Sequence, residues 1–130
     1  DGTPLILAVR YSDTAMVQAL LDLGADANLS APNDGNPMIT AAMTNKVVIA
    51  EMLYKQGANI DSIVEHDETA LINASRQGHL EMVKFLVENG ADVNLGVETQ
   101  TVRGKEYRSP LNGAKTIEIE NYLISQGATI

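Results

Sequence analysis

The chain has 130 residues, enough for about one domain, with 45% hydrophobic side chains and a formal net charge of −8. That acidic balance argues against a nucleic-acid partner, and no apolar run approaches the ~18 residues that would span a membrane. Cysteine is absent, which excludes disulfides and thiolate metal sites.

In chain order, two markers alternate. Thr3-Pro4-Leu5 precedes Gly24-Ala25, and Asn36-Pro37-Met38 precedes Gly57-Ala58. Thr69-Ala70-Leu71 then precedes Gly90-Ala91, and Ser109-Pro110-Leu111 precedes Gly127-Ala128. The glycines are spaced by 33, 33 and 37 residues. A fixed period near 33 predicts a stack of helical repeats, in which each unit touches only its neighbours.

Each unit reads as cap, short helix, turn, second helix and glycine stop. In the first, Thr3 is a cap candidate and Pro4 occupies the first turn, where its missing N–H is harmless. Met16, Val17, Leu20 and Leu21 give its second helix an apolar face. The second unit opens with Asn36-Pro37. Its inter-helix turn is poorly defined, because Asn45-Lys46-Val47-Val48 stands where a glycine turn is expected. In the third, Leu71, Ile72 and Ala74 begin a helix that Gly78-His79 breaks. Leu80, Met82, Val83, Leu86 and Val87 then lie at helical spacing until Gly90 ends the helix.

The connection that follows is seven residues longer than the others. Val97, Thr99, Thr101 and Val102 favour strand, Gly104 permits a turn and Tyr107 can fold back, which predicts an extended finger or a hairpin. In the fourth unit Leu111 to Gly127 spans 16 residues, against 19 from Leu5 to Gly24. The loss falls around Ala114-Lys115-Thr116 and shortens the first helix or its turn. Glu120 takes the slot of Val17, Ala50 and Val83, giving the last unit the polar outer face of a cap. The first unit has no such face. It is expected to be covered by a repeat or domain upstream, or to self-associate. Lacking an initiator Met and beginning at a repeat boundary, the chain reads as part of a longer protein.

Residues Arg76-Gln77-Gly78-His79-Leu80-Glu81-Met82-Val83-Lys84-Phe85-Leu86-Val87-Glu88-Asn89-Gly90-Ala91-Asp92-Val93-Asn94 resemble the helix-turn-helix half of an ankyrin repeat. The Thr-Pro-Leu starts resemble the opening motif of that family. The resemblance implies an all-α solenoid of four repeats near 1–29, 30–62, 63–95 and 107–130, with an inserted finger at 96–106. It also implies a non-catalytic protein-binding module that uses a concave groove and finger tips. Matched position by position, the groove residues are Arg10 and Tyr11, Met43 and Thr44, and Arg76 and Gln77. The finger residues are Pro32, Asn33 and Gly35, then Glu65, His66 and Glu68, then Arg103, Lys105 and Arg108. Tyr11, Met43 and Arg76 are the types that anchor interfaces, and they suggest an amphipathic stripe. The family's histidine after Thr-Pro-Leu is replaced by Ile6, Ile39, Ile72 and Asn112. The polar tie between repeats is therefore expected to be missing.

Little in the chain suggests chemistry. His79 sits in a turn where the family has a structural histidine. His66 beside Glu65, Asp67 and Glu68 is a weak metal arrangement. No catalytic constellation or phosphate loop is apparent, so no enzyme activity, metal or cofactor is expected. Residues 103–130 are less acidic than the rest, and Lys115 with Arg103, Lys105 and Arg108 could grip an acidic peptide. The leading reading is a platform for a basic or mixed-charge protein partner. The alternative is a regulatory or structural appendage of a larger enzyme or receptor. A cytoplasmic setting is expected, with a bacterial periplasm as the second choice.

Overall fold

The computed structural model describes residues 3–31, 34–64 and 68–129. Within them, helices α1 (Pro4–Arg10) and α2 (Thr14–Asp22) form the first pair, and α3 (Pro37–Met43) and α4 (Val47–Lys55) the second. Helices α5 (Ala70–Gln77) and α6 (Leu80–Glu88) form the third pair, followed by strands β1 (Val97–Thr101) and β2 (Gly104–Arg108) and helix α7 (Ile117–Ser125). The architecture is an all-α repeat stack carrying one two-stranded antiparallel sheet. The strands pair from Val97↔Arg108 to Thr101↔Gly104.

Local chemistry sets the helix starts. The side chains of Thr3, Asn36, Thr69 and Thr116 accept from the backbone N–H three residues on, at 3.1, 2.8, 3.1 and 3.2 Å. Pro4 and Pro37 follow their caps without losing a hydrogen bond. The inter-helix turns need one left-handed residue each, and Ser12, Asn45 and Gly78 supply it at φ 60°, 58° and 82°. The second turn is thus as well formed as the third. Asn45 stands in for glycine because its short polar side chain tolerates that region.

The first helices stack side by side, α1 on α3 on α5, and the second helices stack as α2, α4, α6 and α7. Ile6, Ile39 and Ile72 occupy equivalent, fully buried positions between the layers. The fourth unit differs. No helix precedes α7 in it; residues 110–113 form a turn instead. That turn is pinned onto α5: the Ser75 hydroxyl donates to Pro110 O at 2.7 Å, and Lys115 N–H donates to Ser75 O at 3.1 Å.

Polar ties between repeats, expected to be missing, are present at other positions. The Asn28 amide donates to Gly57 O (3.0 Å) while its oxygen accepts from Asn59 N–H (2.7 Å). Asn94 does the same with Gly127 O (3.2 Å) and Thr129 N–H (2.9 Å). Between them, the Asp61 carboxylate accepts from Asp92 N–H at 3.1 Å. A second set joins the second and third inter-helix turns to the first helix of the preceding repeat. Lys46 Nζ donates to Val9 O (2.9 Å) and Arg10 O (2.5 Å), and His79 Nε2 lies 3.2 Å from Met43 O. Losing the histidine after Thr-Pro-Leu therefore removes one kind of tie and leaves two others.

Candidate partner-binding surface

The C-terminal ends of α1, α3 and α5 carry the predicted groove residues. Arg10 and Met43 are the last residues of α1 and α3, and Arg76 lies in the last turn of α5. Repeat equivalence makes Arg10, Met43 and Arg76 one row, and Tyr11, Thr44 and Gln77 the next. The expected Tyr-Met-Arg stripe is therefore corrected: Tyr11 belongs to the second row and the other two to the first.

The rows are chemically uneven. Tyr11 is 76% exposed and Met43 44%. Thr44 is exposed, yet its hydroxyl donates to Thr40 O at 2.7 Å. Gln77 is exposed. Arg10 donates to Asp34 Oδ1 at 3.3 Å, and Arg76 Nε lies 4.0 Å from Glu68 Oε2. The Arg76 stem passes over Gly113, where a Cβ would come within 2.6 Å of Arg76 Cγ. Both arginines thus have carboxylate partners, and the surface offers an aromatic ring and a thioether between them. The helix ends that carry Tyr11 and Met43 are held from behind. Lys46 caps the last carbonyls of α1, and His79 reaches that of Met43. Such cations or donors at helix C-termini satisfy orphan carbonyls and the helix dipole. Burial lowers the Lys46 pKa from its ordinary value. Neither Lys46 nor His79 figured among the candidate residues, although their shared position, 33 apart, is visible in the sequence.

The finger residues divide into three groups. Asn33, Pro32, Glu65 and His66 lie outside the described residues. Gly35 bridges Ala31 in the short turn between the first two repeats. Glu68, Arg103, Lys105 and Arg108 are described, and they do different things. Glu68 is only 8% exposed, and Arg108 Nη1 donates to its Oε1. Arg108 Nη2 also donates to Glu106 Oε2 at 3.2 Å. These contacts, led by the hydrogen bond to Glu68, raise the Arg108 pKa further above its ordinary value. Glu68 and Arg108 are therefore removed from the set of tips: they face each other and bind the hairpin base to the start of α5. Asn112 reinforces that base, accepting from Ser109 N–H (2.9 Å) and donating to Tyr107 O (3.0 Å). Arg103 and Lys105 are exposed near the tip, beside fully exposed Val102, with no ion pair among the described residues. Lys115 lies against Gly78, at the far end of α5 from Glu68. The predicted cluster of Lys115 with Arg103, Lys105 and Arg108 is thus not assembled.

Among the described residues no group of His, Asp and Glu side chains is placed to hold a metal. No helix there is long and apolar enough to cross a membrane. A family model of ankyrin repeats, in three copies, matches residues 5–96. The chain belongs to the ankyrin-repeat family. Ankyrin repeats are generally protein-interaction modules and are typically non-catalytic. The matched ankyrin region covers the three helical pairs and stops at the hairpin, leaving the shortened fourth unit beyond it. No curated protein matches the chain.

Proposed function

We propose that this ankyrin-repeat chain binds a protein partner non-catalytically, across the ends of α1, α3 and α5 and along the hairpin. The observation that carries the reading is the exposure of Tyr11 and Met43 on helix ends fixed by the following repeat. Because the backbone beneath them is already fixed, only the Tyr11 and Met43 side chains themselves need ordering when a partner covers them. Arg10 and Arg76, already engaged by Asp34 and Glu68, would frame that contact, while Arg103 and Lys105 would reach the partner from the hairpin. The acidic body steers association toward a basic or mixed-charge protein.

The test compares capture of lysate proteins by three immobilised baits: wild type, a Tyr11→Ala/Met43→Ala variant, and Glu118→Ala on α7 as control. Each is first shown to be folded by circular dichroism. A protein held by wild type and control but lost from the double variant supports this surface. Equal retention by all three would overturn it and turn attention to the hairpin alone.

A further inference from the structure

The two edges of the hairpin are unlike. On β2, Tyr107 O accepts from the Asn112 amide at 3.0 Å, from outside the ladder. In an antiparallel pair, opposed residues alternate between those that exchange both main-chain bonds and those that exchange none. Glu98↔Tyr107 is therefore a non-bonded pair, and so is Gln100↔Lys105, two residues on. Thr101↔Gly104 is then a bonded pair, which agrees with the hydrogen bond that closes a two-residue turn. The N–H and C=O groups of Glu98 and Gln100 thus point away from β2. Among the described residues nothing bonds to them, and no helix packs along β1. Edge strands are commonly blunted by lysine, proline or a bulge. The β2 edge has Lys105 and the Asn112 bond, whereas Val97-Glu98-Thr99-Gln100-Thr101 has none of these.

We propose that the β1 edge pairs with the β1 edge of a second copy, antiparallel about a two-fold axis at Thr99, so that two hairpins make one four-stranded sheet. The main-chain phase fits. Glu98 lies opposite Gln100 of the second copy and Gln100 opposite its Glu98, so outward groups meet outward groups. The side chains fit as well. Glu98 and Gln100 are exposed on one face of the sheet, and the pairing sets each carboxylate against an amide donor. Thr99 meets Thr99 and Val97 meets Thr101, all β-branched residues that suit a strand. Neighbouring registers fail. A slip of one residue turns outward groups toward inward ones. Centring on Glu98 opposes two carboxylates, and centring on Gln100 carries Glu98 past the strand to Val102 in the turn. Charge favours the approach: residues 97–108 hold Arg103, Lys105 and Arg108 against Glu98 and Glu106, in a chain of net charge −8. An interface that is its own complement is what a two-fold dimer needs. The strand order β2-β1-β1-β2 leaves Lys105 and Tyr107 on the outer strands. This pairing goes beyond the partner-binding reading and does not depend on it.

Sedimentation equilibrium at rising concentration should show the mean mass climbing from 13.9 kDa toward twice that value. Gln100→Pro should hold it at one chain. The N–H it removes is an outward one, so the hairpin itself tolerates the proline. Gln100→Glu opposes like charges at both places and should weaken dimerisation roughly fivefold or more. Adding Glu98→Gln restores a carboxylate–amide pair at both places and should bring dimerisation back. These charge variants leave the main chain untouched, so they decide even where the proline disturbs the hairpin. Thr99→Cys, in a chain without cysteine, should oxidise to a disulfide-linked dimer faster than Lys105→Cys on the outer strand. A monomer at every concentration overturns the proposal and leaves the β1 edge to an extended segment of another protein. A dimer that persists in Gln100→Pro, or a double variant no better than Gln100→Glu alone, overturns it as well.

Discussion

Arg108, on the last position of β2, donates to the carboxylate of Glu68, forty residues earlier at the start of α5. The pair fixes the base of the hairpin to the third repeat. The Arg108 Nε is buried without a hydrogen-bond partner among the described residues, so the arrangement depends on its carboxylates. Removing Glu68 leaves the Arg108 guanidinium only the exposed carboxylate of Glu106, which compensates its charge in part. Glu68→Ala should therefore destabilise the chain by about 2–4 kcal/mol, short of the full loss for a wholly buried pair. The reason for the discount is that 23% of the Arg108 side chain still meets solvent. Glu68→Gln, which keeps an acceptor, should fall between. Urea unfolding of the three proteins checks the order; a Glu68→Ala midpoint equal to wild type would show that the pair does not hold the base.

The Asn28–Asp61–Asn94 series makes a prediction of opposite sign. Asn28 and Asn94 each use both ends of their amide, donating to the carbonyl of Gly57 or Gly127 and accepting from Asn59 or Thr129. Asp61 can only accept, and it does so from Asp92, itself an acid. Asp61→Asn supplies the missing donor toward Gly90 O and removes a like charge. The variant should be more stable by about 0.5–1.5 kcal/mol, the range of one net hydrogen bond. Thermal melts decide; a lower melting temperature would mean that the carboxylate matters more than the amide pattern.

Much of this was legible in the sequence, and the limits have physical causes. The period of 33, the helix caps and the glycine stops are local signals, and they placed the helices. The finger was visible as extra length and strand-forming residues. What escaped were long-range pairings of charged groups. Glu68 and Arg108 each look like a solvated finger charge, and only the fold brings positions 40 apart together. Arg10 and Asp34 are a milder case, 24 apart. The fourth unit shows a third limit. Its three missing residues announced a shortening, but Ser75, which fastens the replacing turn, lies in another repeat.

Lys46 couples stability to the surface that Tyr11 occupies. Its two hydrogen bonds to Val9 O and Arg10 O join the second repeat to the end of α1. Lys46→Met should cost about 1–2 kcal/mol, since hydrogen bonds from a charged donor exceed the neutral average. The pH dependence is separate. Because burial lowers the Lys46 pKa, the folded chain releases that proton at lower pH than the unfolded chain does. The unfolded state binds more protons in the window just below 10.5, so this group makes stability rise with pH there. Subtracting the Lys46→Met profile from wild type isolates the effect. A difference that falls with pH would show the opposite shift.

Equivalent leucines should not be equivalent in energy. Leu86 is fully buried between repeats, so Leu86→Ala should cost about 2–5 kcal/mol, from lost burial and the cavity left behind. Leu20 holds the same repeat position but is half-buried, and Leu20→Ala should cost less than half as much. Loss of Leu86 should also weaken both neighbouring repeats, because each unit depends on the next. Equal costs for the two variants would contradict the open character of the α1–α2 face.

The hairpin has a base held by Arg108 and Asn112, and its two parts should respond differently to deletion. Among the described residues, the side-chain hydrogen bonds of its outer part stay within the hairpin. Gln100 donates to Thr101 O and Thr101 to Gly104 O, all within the hairpin, and Val102 is wholly exposed. The base, by contrast, holds Arg108 on Glu68 and Asn112 on Tyr107 O. Replacing residues 98–106 by an Asn-Gly turn keeps Val97, Tyr107 and Arg108 and removes only Glu106 from the ionic cluster. A loop change of that size alters closure entropy by well under 1 kcal/mol, so the shortened chain should unfold within about 1 kcal/mol of wild type. Partner capture should weaken, because Arg103 and Lys105 go with the deleted segment. Extending the deletion to Arg108 should add the loss predicted for Glu68→Ala. If the short deletion already abolishes folding, the outer strands are structural, and the hairpin is not a presented finger.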